Sequence, residues 1–532
     1  MAQTVDTHDS RAVARDETRA TAHPNRRWRL SWRWLHKWGG IVSALWLALL
    51  GVTGFFLDHR DWRLIWQTSV PESVFPGKFL EETRRAEFTI YQINPWDAKK
   101  RVAGGRRGLW TSSDGGGEWK PCRFEGMTGA PQALALIGDP LQGWNRLYAA
   151  TDDGVWVSSD GGLSFQTFAL QGKYINAISY GHGKSELLCV VDRSRIIEID
   201  SGTGAAAAIN LKPAGSAVAA GRIGFSRFVH DLHFGRGLVS GLGSILVNDL
   251  GGVMMLLLPL TGILFWLAPL RWKGREAQAS HDQRMSHRLT MKVLHRSHGL
   301  YFGLISIIPI IYLSLTGIIL DHRDALNDWM KKIQISKAYL TPVYEMSSWN
   351  GEIQAVMGYQ GDPAKFSLGA RSGLYTTTDG GKNWSREQLP GPPSCYVWSV
   401  NRLGDQLFVG GMGCPNSVMS GKGGWKPVQG AGHMPVSVAM QGNGTVSMLS
   451  HGALYTGDFD RGFSKTTINL PRPEGEPLFT LLDGLHSGLI FSKHWIWVND
   501  AVSVLAISLC VSGLIRLWRS RRIIARDFQT AE

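Results

Sequence analysis

Cysteine is scarce, with five among 532 residues, at Cys122, Cys189, Cys395, Cys414 and Cys510. No two of them stand in a CxxC or other zinc spacing, which argues against a zinc-built domain. If the segments carrying them face an oxidising compartment, one disulfide is open in each of two regions: Cys122–Cys189 and Cys395–Cys414. Proximity alone favours the second, and buried free thiols are the equal alternative. No GxGxxG or other nucleotide fingerprint occurs, so a nucleotide site of the chain's own is not expected. A cleavable leader is missing too. Residues 1–25 are polar and read as disordered, and Arg26, Arg27, Arg29 and Arg33 precede an apolar run with no A-x-A site after it. That is the pattern of an uncleaved signal-anchor. Acidic residues are outnumbered, 43 against 56 basic, for a formal charge of +13. Such a charge can mark a nucleic-acid binder. Here the basic residues cluster at one end of each apolar block, which points to a lipid bilayer as the partner and not to nucleic acid.

Long hydrophobic runs are what the chain does have. Four stand out, at about Ile41–Leu57, Leu250–Leu270, Gly299–Leu320 and Trp495–Leu517. Each is close to the roughly 20 residues needed to cross a bilayer. Basic residues crowd the N-terminal flank, the loop 271–293 (Arg271, Lys273, Arg275, Arg284, Arg288, Lys292) and the tail (Arg516, Arg519, Arg521, Arg522, Arg526). The positive-inside rule puts these three on the cytoplasmic side. Both long intervening segments are then outside. The expected order is a cytoplasmic tail (1–32), a first span (33–59), a β-rich segment (60–232), an interfacial stretch with the second span (233–270), a cytoplasmic loop (271–293), a third span (294–322), a second β-rich segment (323–484), an interfacial stretch with the fourth span (485–518) and a cytoplasmic tail (519–532).

The chain is duplicated. Val52-Thr53-Gly54-Phe55-Phe56-Leu57-Asp58-His59-Arg60-Asp61 and Leu315-Thr316-Gly317-Ile318-Ile319-Leu320-Asp321-His322-Arg323-Asp324 share seven of ten positions without a gap. Val247-Asn248-Asp249 matches Val498-Asn499-Asp500, and Thr261-Gly262 matches Ser512-Gly513. Leu232-His233-Phe234-Gly235 matches Leu485-His486-Ser487-Gly488. Every span thus carries a Thr/Ser-Gly pair, read as a place of close helix approach. Two parallel halves predict a pseudo-twofold axis along the membrane normal.

A smaller repeat runs through the outer segments. Gly108–Trp119, Gly154–Phe165 and Gly373–Trp384 share the pattern S/T-x-D-x-G-x-x-W/F, with a weaker copy at Gly452–Tyr455. Serine or threonine and aspartate bond the turn backbone, and glycine takes the positive φ. The pattern resembles the Asp-box hairpin of β-propellers, and the first two copies are 46 residues apart, about one blade. Each half holds too few blades for a ring, so the halves either join in one propeller-like unit or form two smaller β-domains. Asp-boxes occur in sialidases, but no arginine cluster with a tyrosine nucleophile accompanies them here. The expected class is a membrane protein of α+β type: four transmembrane helices in two pseudo-symmetric halves plus a β-rich, propeller-like periplasmic domain.

Histidine is informative by position. His36, His295 and His298 lie at the cytoplasmic edge of the spans. His59, His233, His322, His486 and His494 lie at the outer edge, with His230 nearby. His59 matches His322, and His233 matches His486. His36 matches His298, or His295 if the third span holds an extra turn. A lone interfacial histidine is usually an anchor, but repeat-matched histidines are the residues that clamp b-type haem between facing helices. The axial candidates are therefore His59, His322, His233, His486, His36, His298 and His295. From His36 to His59 is 23 residues, roughly 34 Å along a helix. Either tilt closes that gap or the cofactors do not use that pair of levels.

Arg33-Trp34-Leu35-His36-Lys37-Trp38-Gly39-Gly40 leading to Leu50-Gly51-Val52-Thr53-Gly54 resembles the PepSY-associated transmembrane family. So do Val293-Leu294-His295-Arg296-Ser297-His298-Gly299 leading to Leu315-Thr316-Gly317, and the Leu-His-x-Gly motifs at His233 and His486. Family members of this shape include inner-membrane dihaem reductases of ferric siderophores, and the outer segments here carry Asp-box hairpins in place of a PepSY domain. The resemblance implies two b haems in the bacterial inner membrane. Electrons would pass from a cytoplasmic or quinone-type donor to a periplasmic acceptor, a ferric siderophore or other ferric chelate. The rival expectation is a non-enzymatic, membrane-anchored propeller that binds, assembles or senses a partner.

Overall fold

The computed structural model describes residues 32–529 apart from 83–86, 140–142, 184, 240, 276–277, 422 and 433. Most of the expected N-terminal tail, with Arg26, Arg27 and Arg29, lies outside the described residues. The helices are α1 (Trp32–Asp58), α2 (Phe225–His233), α3 (Leu242–Trp272), α4 (His281–His295), α5 (Gly303–Asp321), α6 (Leu478–Ser487) and α7 (Ile496–Gln529), with a π-helix at Arg296–Phe302 between α4 and α5. Four helical stretches are long and apolar enough to cross a membrane: Trp34–Asp58, Gly243–Trp272, His281–Asp321 and Lys493–Trp518. In hydrocarbon only a helix or a closed barrel meets its own backbone hydrogen bonds, which is why such runs are helical. Their outward faces are apolar, with Leu45 81% and Ile308 75% exposed. A capping box at Ser280 and Gln283 starts α4, which joins two of the spans.

The spans pack in a ring, α1 against α3, α3 against α5, α5 against α7 and α7 against α1. The closest approach is at Gly51 and Gly252. A Cβ added to Gly51 would lie 2.5 Å from the Gly252 carbonyl oxygen. Helix contact therefore rests on these two glycines, and the Thr/Ser-Gly pairs serve another purpose, described below.

Outside the spans the chain forms six antiparallel sheets of four strands, the second sheet gaining a fifth, Arg123–Phe124. Their first strands are β1 (Phe88–Ile93), β2 (Ala133–Asp139), β3 (Ile175–Tyr180), β4 (Ile353–Tyr359), β5 (Tyr396–Leu403) and β6 (Ser437–Met440). Three sheets come from each long segment. Each first strand touches the next, and β6 touches β1, where the Ser437 hydroxyl accepts from Tyr91 N and donates to Tyr91 O. Buried apolar clusters lie between neighbouring sheets. One joins Leu188 and Val190 of the third sheet to Phe366 and Trp384 of the fourth, and another joins Tyr91 to Leu449 and Leu454. The two segments thus build one propeller-like unit and not two separate β-domains.

The patterned turns are built as their residues dictate. In each, the hydroxyl accepts the glycine amide: Gly116 N to Ser112 Oγ (2.9 Å), Gly162 N to Ser158 Oγ (2.8 Å) and Gly381 N to Thr377 Oγ1 (3.0 Å). These glycines sit at φ of +92°, +97° and +92°. The aspartates accept the following amides, as Asp379 does from Lys382 and Asn383. Cys395 and Cys414 form a disulfide, their Cα atoms 5.4 Å apart. The other expected pair does not form. Cys122 packs with Ile90 and Trp156, Cys189 with Tyr148 and Ile175, and both are free thiols in different cores.

In these sheets the turn between strands two and three lies on the opposite side from the patterned turns. That opposite side meets the helix ends. Arg63, just past α1, bonds Asp152 in such a turn (2.9 Å). Asp61 takes Arg193 at 2.7 Å and Arg106 at 3.3 Å, both from equivalent turns. Burial opposes ionisation of Asp61, but Arg193 and Arg106 more than offset it and hold its carboxyl well below the usual range. Two short ribbons tie the halves at the same level. Ser69–Val70 pairs with Glu476–Pro477 ahead of α6, and Arg222–Gly224 pairs with Gln334–Ser336 ahead of α2.

Candidate functional site

The ribbons deliver α2 and α6, and with them His233 and His486, to the outer ends of α5 and α1. Nδ1 of His233 lies 3.0 Å from Thr316 Oγ1, and Nδ1 of His486 lies 2.9 Å from Thr53 Oγ1. At the other end of the spans, Nδ1 of His36 lies 2.8 Å from Ser512 Oγ, and Nδ1 of His298 lies 3.1 Å from Thr261 Oγ1. Each of the four Thr/Ser-Gly pairs therefore holds one histidine, and each bond runs from one half of the chain to the other.

The hydroxyls settle which nitrogen carries the proton. Thr53 Oγ1 already donates to Leu49 O (2.7 Å), Thr261 to Leu257 O (2.7 Å), Thr316 to Tyr312 O (2.6 Å) and Ser512 to Leu509 O (3.0 Å). A hydroxyl has one hydrogen to give, so each must accept from Nδ1–H. The imidazoles are thereby held as neutral rings with the lone pair on Nε2, the form in which histidine ligates a metal. Among the described residues, nothing hydrogen-bonds Nε2 of any of the four.

The following glycine makes room for the ring. A Cβ at Gly54 would lie 3.3 Å from His486 Cε1, and one at Gly262 would lie 3.2 Å from His298 Cε1, both tighter than ordinary contact. Gly317 and Gly513 stand opposite His233 and His36 in the same way, at 3.7 and 3.6 Å.

The histidines meet in pairs. The rings of His36 and His298 face each other with centroids 6.1 Å apart and planes at 75°. A metal held by one nitrogen of each ring at about 2 Å requires centroids roughly 6 Å apart. His233 and His486 lie within electrostatic reach of one another. The residue types, the tautomer and the spacing fit a bis-histidine haem at each level. From His36 to Thr53, which holds His486, is 17 residues, about 25 Å along α1. The separation is smaller than the one measured to His59.

The remaining histidines are placed otherwise. His59 gives Nδ1–H to Phe55 O (2.9 Å), and its Nε2 lies 3.6 Å from Asp249. His322 Nε2 lies 2.6 Å from Asp500. The structure does not bring His59 and His322 together. Each faces the Asp of its own half's Asn-Asp motif. His295 is exposed on α4, edging Phe265. His494 is exposed, and His230 lies 3.9 Å from Asp231. The choice between His295 and His298 as the partner of His36 is decided by the π-helix. The span from His298 to Thr316 is one residue longer than that from His36 to Thr53, and a π-turn absorbs one extra residue.

Sequence reasoning noted the Thr/Ser-Gly pairs without seeing them as histidine holders. It missed Asp249 and Asp500 as histidine partners. A further group of ligating types, His182, Glu186 and Glu198, stands in the third sheet with ligand atoms within 4.8 Å of one another.

Among solved structures, the chain is similar to an ancestral GH74 enzyme (10% identity, TM-score 0.34), covering 76% of this chain and 39% of that one. It is similar to the Myceliophteria thermophila Cps50 (Swd1) β-propeller domain (9%, TM-score 0.33), covering 74% and 89%. It is also similar to YCF48 bound to D1 peptide (10%, TM-score 0.28), covering 63% and 66%. This chain thus spans well under half the length of the first. No curated protein matches. Residues 190–521, more than half of the chain, match the PepSY-associated TM region, and the chain belongs to that family.

Proposed function

We propose that this protein is a transmembrane electron carrier of the bacterial inner membrane. One b haem would be held by His36 and His298 and a second by His233 and His486. The observation that carries the reading is the set of four hydroxyl–Nδ1 bonds, which leave four Nε2 lone pairs free in two facing pairs. Haem bound there supplies one-electron oxidation and reduction. The chain's own residues fix the imidazole tautomer, keep the ring orientation through the hydroxyls and exclude water with the apolar faces of α1, α3, α5 and α7.

Basic loop and tail residues support a cytoplasmic place for the His36–His298 level, and the six sheets then close as one periplasmic propeller over the His233–His486 level. Electrons would enter from a cytoplasmic or quinone-type donor and leave to a periplasmic acceptor, a ferric siderophore or another ferric chelate. Alkaline phosphatase fused after Gly162 is expected to be active, and fused after Gly274 inactive. The deciding experiment is a reduced-minus-oxidised spectrum with a pyridine haemochrome assay on the purified full chain. Two b haems per polypeptide are expected. A colourless protein, expressed with ample haem, ends the reading.

A further inference from the structure

Arginines gather between the helix ends and the turns that dock on them, and most are consumed by acids. Asp61 holds Arg193 and Arg106. Asp231 holds Arg227 at 2.6 Å and Arg371 at 3.3 Å, and Glu352 lies 3.7 Å from Arg371. Two guanidinium groups are left over. Neither Arg60 nor Arg236 makes a side-chain hydrogen bond or ion pair with any described residue.

Both stand beside the outer histidine pair. Arg60 lies over the ring of Phe479 in α6, the helix that carries His486, at 5.7 Å. Asp483, one turn before His486, is within its electrostatic reach. Arg236 lies over Phe234, the neighbour of His233, at 5.4 Å. Arg60 keeps access to water although protein surrounds it, so it faces a wet chamber and not open solvent. The charges nearest Arg236 are mostly of its own sign, Arg371, Arg193 and Arg60 among them. Burial and these neighbours push Arg236 below its ordinary value, and burial and Arg106 do the same to Arg60. Like charges held together without a counter-ion leave the place of an anion open. A guanidinium presents paired N–H donors in the fork geometry that a carboxylate accepts.

We propose that Arg60 and Arg236 bind carboxylate groups on the propeller side of the His233–His486 pair. The proposal rests on the electron-transfer reading for its purpose, though not for its geometry. Two sources offer carboxylates there: the propionates of a haem held by that pair, and a carboxylate-bearing ferric chelate entering from the chamber. The acceptor class that follows from the second source is a citrate-like or other polycarboxylate chelate, and not a cationic or neutral one.

The test uses the full chain in detergent, with Arg60→Gln, Arg236→Gln, the double variant, Arg60→Lys and, as a control on the sheet edge, Arg195→Gln. Ferric citrate and citrate alone are titrated by calorimetry, and the midpoint potential and dissociation rate of each haem are measured. If the acceptor is the source, citrate binding weakens at least tenfold in each Gln variant and returns in Arg60→Lys, while the haem potentials hold. If propionates are the source, one haem dissociates at least tenfold faster and its potential shifts, with no citrate effect. Either result supports the site. Unchanged citrate binding together with unchanged haem behaviour in both single variants overturns it. Should the wild-type chain carry no haem, the electron-transfer reading fails, and the citrate titration still decides the arginine site.

Discussion

His59 and His322 invite comparison with His233 and His486. Both sets are repeat-matched, and both stand at the outer ends of the spans. His59 and His322 sit in an ungapped match of the two halves, and each faces a carboxylate within its own half, Asp249 or Asp500. His233 and His486 align only after a shift in register, yet each is gripped by a threonine from the opposite half. Strict matching reports that two residues share a local role. It does not report which role. A histidine aimed at a carboxylate has spent the nitrogen that a metal would need, whereas one held at Nδ1 by a hydroxyl keeps Nε2 free.

The largest effect that could break this comparison is cofactor loss in paired substitutions. His36→Ala with His298→Ala is expected to remove one haem, no more than either alone, because the two residues serve one site. His36→Ala with His233→Ala is expected to remove both. Haem per polypeptide by pyridine haemochrome reads the difference, and equal loss from the two double variants would dissolve the pairing.

Removing the hydroxyl should act more gently. Thr53→Val or Thr316→Val leaves the ligand but unsatisfies its Nδ1–H, and loss of such a partner weakens metal-site affinity roughly 10- to 100-fold. Redox titration should show the potential of the outer haem moving while that of the inner one stays, and Thr261→Val should do the reverse.

Two repeat-matched aspartates sharpen the contrast further. Asp61 is locked by Arg193 and Arg106, while its counterpart Asp324 is fully exposed. Asp61→Asn should destabilise the docked propeller by about 2 kcal/mol, a figure kept low because the side chain is a third exposed. Asp324→Asn should change nothing measurable. The folded carboxyl of Asp61 is held below its unfolded value, so its contribution is complete above about pH 4 and fades as the pH falls further. Acid unfolding of the wild type should show that loss, and Asp61→Asn should lack it.

The smallest expected effect lies farthest from the helices. Ser158→Ala strips a buried acceptor from Gly162 N and should cost about 1 to 3 kcal/mol without altering haem content. A spectral change there would give the patterned turns a role beyond holding their hairpins.

Much of this was legible in the sequence. Apolar run length and the S/T-x-D-x-G pattern are local signals, and the spans and hairpins follow from them. His36 and His298 could be named as equivalents, but the choice against His295 needed the π-helix. The histidine holders were not legible as such, because a threonine mid-helix most often bonds its own backbone and a glycine most often lets helices touch. Here Thr53 and Gly54 do more, through a bond to a residue 433 positions away. The shared propeller-like unit was equally hidden, since its cores join the third sheet to the fourth and the sixth to the first across the whole chain.

The most direct test is haem per polypeptide in six single alanine variants of the purified chain. His36→Ala, His298→Ala, His233→Ala and His486→Ala should each retain one haem of two, with His59→Ala and His322→Ala retaining both. Full haem content in His233→Ala and His486→Ala, with loss in His59→Ala or His322→Ala, would contradict the account.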